Sequence, residues 1–129
     1  MIEIFSNLNS CKRGIYGIFI IKDHEEYCAY IGRSEQLSVR AKQHKISIEK
    51  KESIYSLNEA YANNLKIEIR LIQEVNYFYD NYYKDAQRLA SAECYWIDFY
   101  QSLNQCLEQL PEGSRPSFNK WQEQNKNKI

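Results

Sequence analysis

The chain has 129 residues and carries 17 Lys and Arg against 17 Asp and Glu, so its formal net charge at pH 7 is zero. This length is typical of one domain with its own core. A charged fraction of 26% with 14% aromatic residues is typical of a globular chain rather than a disordered one. The neutral balance excludes a polycation that binds nucleic acid through its overall charge, and no apolar run reaches the roughly 20 residues that span a bilayer.

The chain contains four cysteines, Cys11, Cys28, Cys94 and Cys106. They show neither a C-x-x-C pair nor the close grouping typical of a metal site. No signal peptide precedes them. We therefore expect free thiols, a reducing cytoplasmic location and no membrane partner.

Hydrophobic runs predict a short strand over 2–5, a largely buried strand over 14–21 and, after a polar turn, a second strand over 27–32. The remaining elements, in chain order, are a helix after Gly32, a helix over 52–63, a half-exposed strand over 66–72 and a long helix over 85–103. This order predicts one α+β domain over 1–107 with a small antiparallel sheet. A polar tail over 108–129 is expected to be loosely docked or flexible.

Glu93 lies on the same stripe of the last helix as Leu89, Trp96 and Tyr100. A carboxylate among apolar side chains is costly unless it is paired, hydrogen-bonded or bound to a metal. The alternative is a Glu at the edge of the helix whose carboxylate reaches water.

His44 falls on the apolar face of the first helix, and Arg40 lies one turn earlier. A lone His in such a place is more often a hydrogen-bonded core residue, and Arg40 alone is typical of a solvated surface. Two ionisable residues one turn apart, together with a buried Glu on another helix, indicate a candidate site.

The stretch 33–51 holds six Lys and Arg against two Glu, an excess of four positive charges. In a neutral chain this predicts a local basic surface that faces a phosphate backbone, with Arg33, Lys42 and Lys45 as nucleic-acid-binding residues. The alternative is an ordinary charged helix face that other segments balance.

Two tripeptides, Gly14-Ile15-Tyr16 and Tyr30-Ile31-Gly32, fall on the first two long strands, and Arg40, His44, Glu93 and Asn104 follow in that order. This pattern, which spans about 14–104, resembles the GIY-YIG nuclease superfamily. The resemblance implies a three-stranded antiparallel sheet flanked by helices. It also implies cleavage of phosphodiester bonds in DNA that depends on one divalent cation.

The resemblance implies a role for each site residue. Glu93 would hold one Mg²⁺ or Mn²⁺, which needs few protein ligands, and Arg40 would bind the developing phosphate charge. Tyr16 would be the base or the group that positions water, although a phenolate at pH 7 costs about 4 kcal/mol.

The remaining residues would assist these groups. Tyr30 would form a hydrogen bond beside Tyr16, His44 would relay the proton or orient the phosphate, and Asn104 would orient neighbouring groups.

The resulting prediction is an endonuclease acting on branched, nicked or foreign DNA. The alternative is a module that keeps the fold and binds nucleic acid without cutting it, and a protein-interaction domain is a third, weaker interpretation. Family members that cut defined sequences usually carry a further recognition domain. A protein partner is one candidate source of that specificity.

Aromatic residues are concentrated over 77–83. We expect them to form a small packed cluster under a loop, and the alternative is that they stack on nucleic-acid bases.

Overall fold

A computed structural model describes residues 1–109. Within this range the chain forms four strands and four helices, in the order β1 (Ile2–Ile4), α1 (Asn7–Ser10), β2 (Gly14–Lys22), β3 (Glu25–Ser34), α2 (Leu37–Glu49), α3 (Tyr55–Ala62), β4 (Lys66–Glu74) and α4 (Tyr82–Ser102). The predicted α+β class is confirmed. From residue 110 onward the predicted polar tail lies outside the described residues.

The sheet has the strand order β1-β4-β2-β3, with β2 antiparallel to both of its neighbours. β1 adds a fourth strand that runs parallel to β4. The predicted three-stranded antiparallel sheet is therefore corrected to a four-stranded mixed sheet. Ile2 and Ile4 explain the addition, because they pack against the core cluster that contains their register partners Ile67 and Ile69.

β2 and β3 form a hairpin in which Tyr16 faces Gly32 and Ile18 faces Tyr30. Asp23 and His24 at the turn have φ angles of 51° and 68°. Positive φ at both central residues is what a tight two-residue hairpin requires, because its twist matches that of the strands. The hairpin therefore places Tyr16 of the first tripeptide opposite Gly32 of the second.

The two faces of the sheet pack against different helices. One face carries Tyr16 and Ile18 and is covered by α1, α2 and α3, while the other carries Ile15 and Phe19 and is covered by α4. Successive side chains of a strand point to opposite faces. Tyr16 therefore packs in the core on the side of α1, α2 and α3, and its neighbour Ile15 in the core on the side of α4. Within residues 1–109, no helix combines the length and apolarity required to cross a membrane.

Candidate active site

Tyr16 and His44 form the centre of the candidate site. The Tyr16 hydroxyl lies 2.6 Å from His44 Nε2, and the two side chains are buried, with 2% and 8% exposed. The prediction that His44 lies on the buried face of α2 is confirmed. A neutral imidazole offers one nitrogen as an acceptor, so Nε2 can accept the hydroxyl proton of Tyr16.

The electrostatics of this pair favour the neutral forms. Burial and the neighbouring Arg40 guanidinium lower the pKa of His44 to about 4, so the imidazole is neutral at pH 7. Burial also raises the pKa of Tyr16 well above its ordinary value, an increase to which Tyr30 adds and which Arg40 opposes. Tyr16 is thus a neutral hydroxyl in hydrogen-bond contact with His44.

Tyr30 and Arg40 complete the cluster. The Tyr30 ring centroid lies 5.1 Å from that of His44 and 6.2 Å from that of Tyr16. Together with His44 and Glu52, they line an open groove of about 380 Å³ between α2 and the segment that follows it. Tyr16 lies behind this groove, so a ligand in it meets Arg40, His44 and Tyr30 directly.

Gly32 has a specific steric reason to be glycine. A Cβ at this position would lie 2.3 Å from the Tyr16 hydroxyl oxygen, far closer than van der Waals contact allows. The Tyr16 hydroxyl, from the first tripeptide, therefore occupies the space that a side chain at position 32, in the second tripeptide, would fill. This explains why Tyr16 and Gly32 belong together at one register position.

Glu93 is buried on α4, as predicted, in a stripe with Leu89 and Ile97. Its Oε1 accepts a hydrogen bond from Arg33 at 2.7 Å, and 6% of Glu93 is exposed. The first of the two explanations for a carboxylate in this stripe, pairing with an opposite charge, is therefore realised.

The Glu93 carboxylate lies on the opposite face of the sheet from the tyrosines. Arg33 pairs with Ile15, whereas Gly32 pairs with Tyr16, so Arg33 points towards α4 and the Tyr16–His44 pair towards α2. Both groups nevertheless lie at the same end of the hairpin, where β3 ends. The structure thus brings four predicted residues together (Tyr16, Tyr30, Arg40, His44) and places Glu93 behind the sheet from them.

Asn104 lies apart from both groups. Its side chain lines a different pocket, at the hairpin turn, with Lys22 and Asp23. Lys22 is six residues from Tyr16 along β2, which corresponds to roughly 20 Å. The expectation that Asn104 orients groups of the same site is therefore not met. After α4 the chain lies near the hairpin turn, at the opposite end of the hairpin from Tyr16.

The predicted basic surface is divided. Arg33 faces α4, while the 100° step of a helix places Lys42 and Lys45 on the flank of α2 opposite to Arg40. Lys42 is exposed and Lys45 half-buried. The excess of positive charge along the sequence thus belongs to three separate surfaces.

Glu93 supplies one carboxylate of the kind that a hard divalent cation takes, and a cation would bind there only if the Arg33 guanidinium, 2.7 Å from Oε1, moved away. Mg²⁺ takes oxygen ligands, retains several waters and binds through as little as one carboxylate. Glu93 offers that carboxylate, and the Arg33 guanidinium currently occupies the cationic position beside it. Among residues 1–109 no group of three or more His, Cys, Asp or Glu is arranged to hold a metal.

Glu52 was not predicted to belong to the site, yet it is the carboxylate that shares the groove with Arg40 and His44. It follows α2 in a polar stretch, where periodicity carries no information about which residues meet in space. A contact between elements, rather than a motif, brings it to the groove.

The chain has no significant match among protein-family models, among curated proteins or among solved structures.

Proposed function

We propose that the chain is a divalent-metal-dependent endonuclease that hydrolyses phosphodiester bonds in DNA. The observation that carries the proposal is the neutral Tyr16–His44 pair, joined at 2.6 Å beside the Arg40 guanidinium. A buried neutral pair next to a cation that lines an open groove suits the binding and hydrolysis of an anion. The order of these residues along the chain, which resembles the GIY-YIG superfamily, supports the same reaction.

The phosphate is proposed to bind in the groove lined by Tyr30, Arg40 and His44, towards the end of β3. Arg40 lines this groove on the α2 side of the sheet, whereas the Arg33–Glu93 pair lies on the α4 side. In this arrangement residues on both faces of the sheet act on one phosphate. That phosphate lies beyond β3, the strand at the edge of the sheet.

Arg40 and the Tyr16–His44 pair would divide the chemistry. The planar guanidinium of Arg40 matches the oxygens of a phosphate and stabilises their developing charge. If the Tyr16 hydroxyl donates its proton to His44 Nε2, its oxygen would be an acceptor that could align an attacking water entering from the groove in front of it. Glu93 would hold the metal, and a Mg²⁺ ion bound there would supply charge neutralisation for the phosphate and for the departing 3′ oxygen.

A second candidate function is nucleic-acid binding without cleavage. The observation that favours it is the Arg33–Glu93 ion pair, which engages the proposed metal ligand on the face opposite to Tyr16. If this pair persists in the complex with DNA, the groove binds a phosphate and no hydrolysis follows.

A cleavage panel tests the proposal. Supercoiled, linear, single-stranded, flap and junction DNA are incubated with Mg²⁺, Mn²⁺ or chelator, using the parent protein, Tyr16→Phe and the control Tyr55→Phe, whose ring is exposed on α3. We expect metal-dependent products from the parent and from the control, and a rate lower by about a hundredfold for Tyr16→Phe. DNA that is bound by the parent but never cut would support the second candidate.

A further inference from the structure

The segment 77–83 presents an exposed aromatic surface, made of Tyr77, Phe78, Tyr79, Tyr82 and Tyr83. The five side chains are between 44% and 81% exposed. The expectation of a packed cluster under a loop is therefore wrong. Large aromatic side chains that are exposed next to one another usually mark a binding surface. Their exposure contributes nothing to the stability of the fold, whereas their burial against a partner would.

The backbone under this aromatic surface is firmly held. The buried Asp85 carboxylate accepts hydrogen bonds from the Phe78 and Tyr79 amides at 2.8 and 3.1 Å. Arg13 donates to the carbonyl oxygens of Val75 and Asp85 at 2.7 and 2.8 Å. The rings are thus displayed from a fixed backbone, which lowers the entropic cost of binding a ligand.

Cations accompany the rings. Lys84 Nζ lies 5.3 Å from the centroid of Tyr79, and the Arg88 guanidinium lies 5.3 Å from that of Phe78. A groove of about 470 Å³ runs between them, lined by Tyr79, Tyr83, Lys84, Gln87 and Arg88. Two of these lining residues are cationic and none is a carboxylate. Arg88 is paired with Asp85 at 3.4 Å, so Lys84 is the main cation that the groove offers to an anion with flat apolar parts.

The aromatic surface continues to the proposed active site. The Tyr77 hydroxyl donates to Glu35 at 3.4 Å, and Glu35 lines a pocket with Arg40 immediately after β3. The Tyr77 end of the aromatic surface thus reaches a pocket that shares Arg40 with the groove of the proposed active site.

We propose that the aromatic surface binds unpaired bases of a single-stranded nucleic acid. Aromatic faces accept any base by stacking, and cations beside them follow the phosphates. The bases of a duplex are already stacked on one another, so this surface selects a single strand. Only one consequence of this inference rests on the proposed function: the preferred substrate has a single-stranded segment beside the cleaved phosphate.

Binding in the absence of metal tests this inference apart from cleavage. Fluorescence anisotropy is measured in chelator with a labelled 15-mer of thymidine and with a duplex of equal length. The proteins are the parent, the Phe78→Ala/Tyr83→Ala double variant and Tyr55→Ala, which removes an exposed ring from α3. Circular dichroism checks that all three are folded.

We expect the parent to prefer the single strand, and the double variant to bind it at least about tenfold more weakly while Tyr55→Ala binds as the parent does. Equal affinity of the parent and the double variant for the single strand would overturn the inference, and so would a preference of the parent for the duplex. Self-association of the parent that the double variant abolishes, without single-strand binding, would assign the surface to a second copy instead. Single-strand binding in this assay, together with no cleavage of any DNA of the panel in Mg²⁺ or Mn²⁺, would contradict the proposed function alone.

Discussion

At His44, burial and a neighbouring guanidinium act in the same direction. Both disfavour the imidazolium, and the pKa falls from an ordinary value of 6.5 to about 4. The imidazole is held neutral, with Nε2 directed at the Tyr16 hydroxyl. Histidine is the residue whose charge most often changes near pH 6.5. His44 instead stays uncharged, as a neutral acceptor for the Tyr16 hydroxyl must.

This shift makes stability depend on pH in a defined direction. Above pH 6.5 His44 is neutral in both the folded and the unfolded chain, so its contribution is fully present. As the pH falls from 6.5 towards 4, the unfolded chain binds the proton first and the free energy of unfolding decreases, by on the order of 3 kcal/mol in total. Urea unfolding at several pH values between 7 and 4 measures the loss.

The carboxylates also titrate in this range, so the comparison is made with His44→Gln. That variant should lose less stability between pH 7 and pH 4 than the parent. His24→Asn, at the exposed turn, should follow the parent. If His44→Gln and the parent lose stability in parallel, the low pKa of His44 is contradicted.

Helix α4 serves both the core and the loop that precedes it. Leu89 and Ile97 pack against the sheet, while Asp85 in the first turn accepts hydrogen bonds from the amides of Phe78 and Tyr79. Asn81 caps the helix by accepting from the Lys84 amide at 3.1 Å. The start of the helix and the shape of the loop are thus determined together.

Asp85→Ala should therefore loosen the loop and destabilise the protein. The amides of Phe78 and Tyr79 lose their shared acceptor, and such loss is costly for backbone groups that are shielded from water. We expect the thermal midpoint to fall by several degrees and amide hydrogen exchange over 76–81 to accelerate. Asp98→Ala, an exposed position of the same helix, should change neither. An unchanged exchange rate in Asp85→Ala would contradict the role of this carboxylate.

The helical periodicity of α2 and α4 was sufficient to predict the buried faces that carry His44 and Glu93, whereas the alternation over 66–72 did not predict the burial of Glu68. The helical spacing placed His44 and Glu93 on apolar faces, and both are buried. The side chains that hold them, Tyr16 and Arg33, come from other elements, and a pattern of period 3.6 or 2 describes only one element at a time. For the same reason the partner of β1, which depends on a pairing across more than 60 residues, was not predicted.

At the scale of the whole molecule, the sheet decides which residues can cooperate. The order of motif residues along the chain predicted one pocket, whereas the alternation of β3 sends Gly32 and Arg33 to opposite faces. Asn104 shows the same limit, because the sequence does not reveal which end of the hairpin the chain reaches after α4. The proposal that both faces act on one phosphate at the end of β3 follows from this division.

Two carboxylates compete for the role of metal ligand in this account. Glu93 lies behind the sheet and is paired with Arg33, while Glu52 lines the groove of Arg40 and His44. Single-turnover cleavage of the best DNA substrate in Mg²⁺, measured for the parent, Glu93→Gln and Glu52→Gln, separates them. The account predicts that Glu93→Gln remains folded and is slower by about a hundredfold or more, with Glu52→Gln within about threefold of the parent. Full activity of Glu93→Gln, or loss of activity in Glu52→Gln alone, would contradict it.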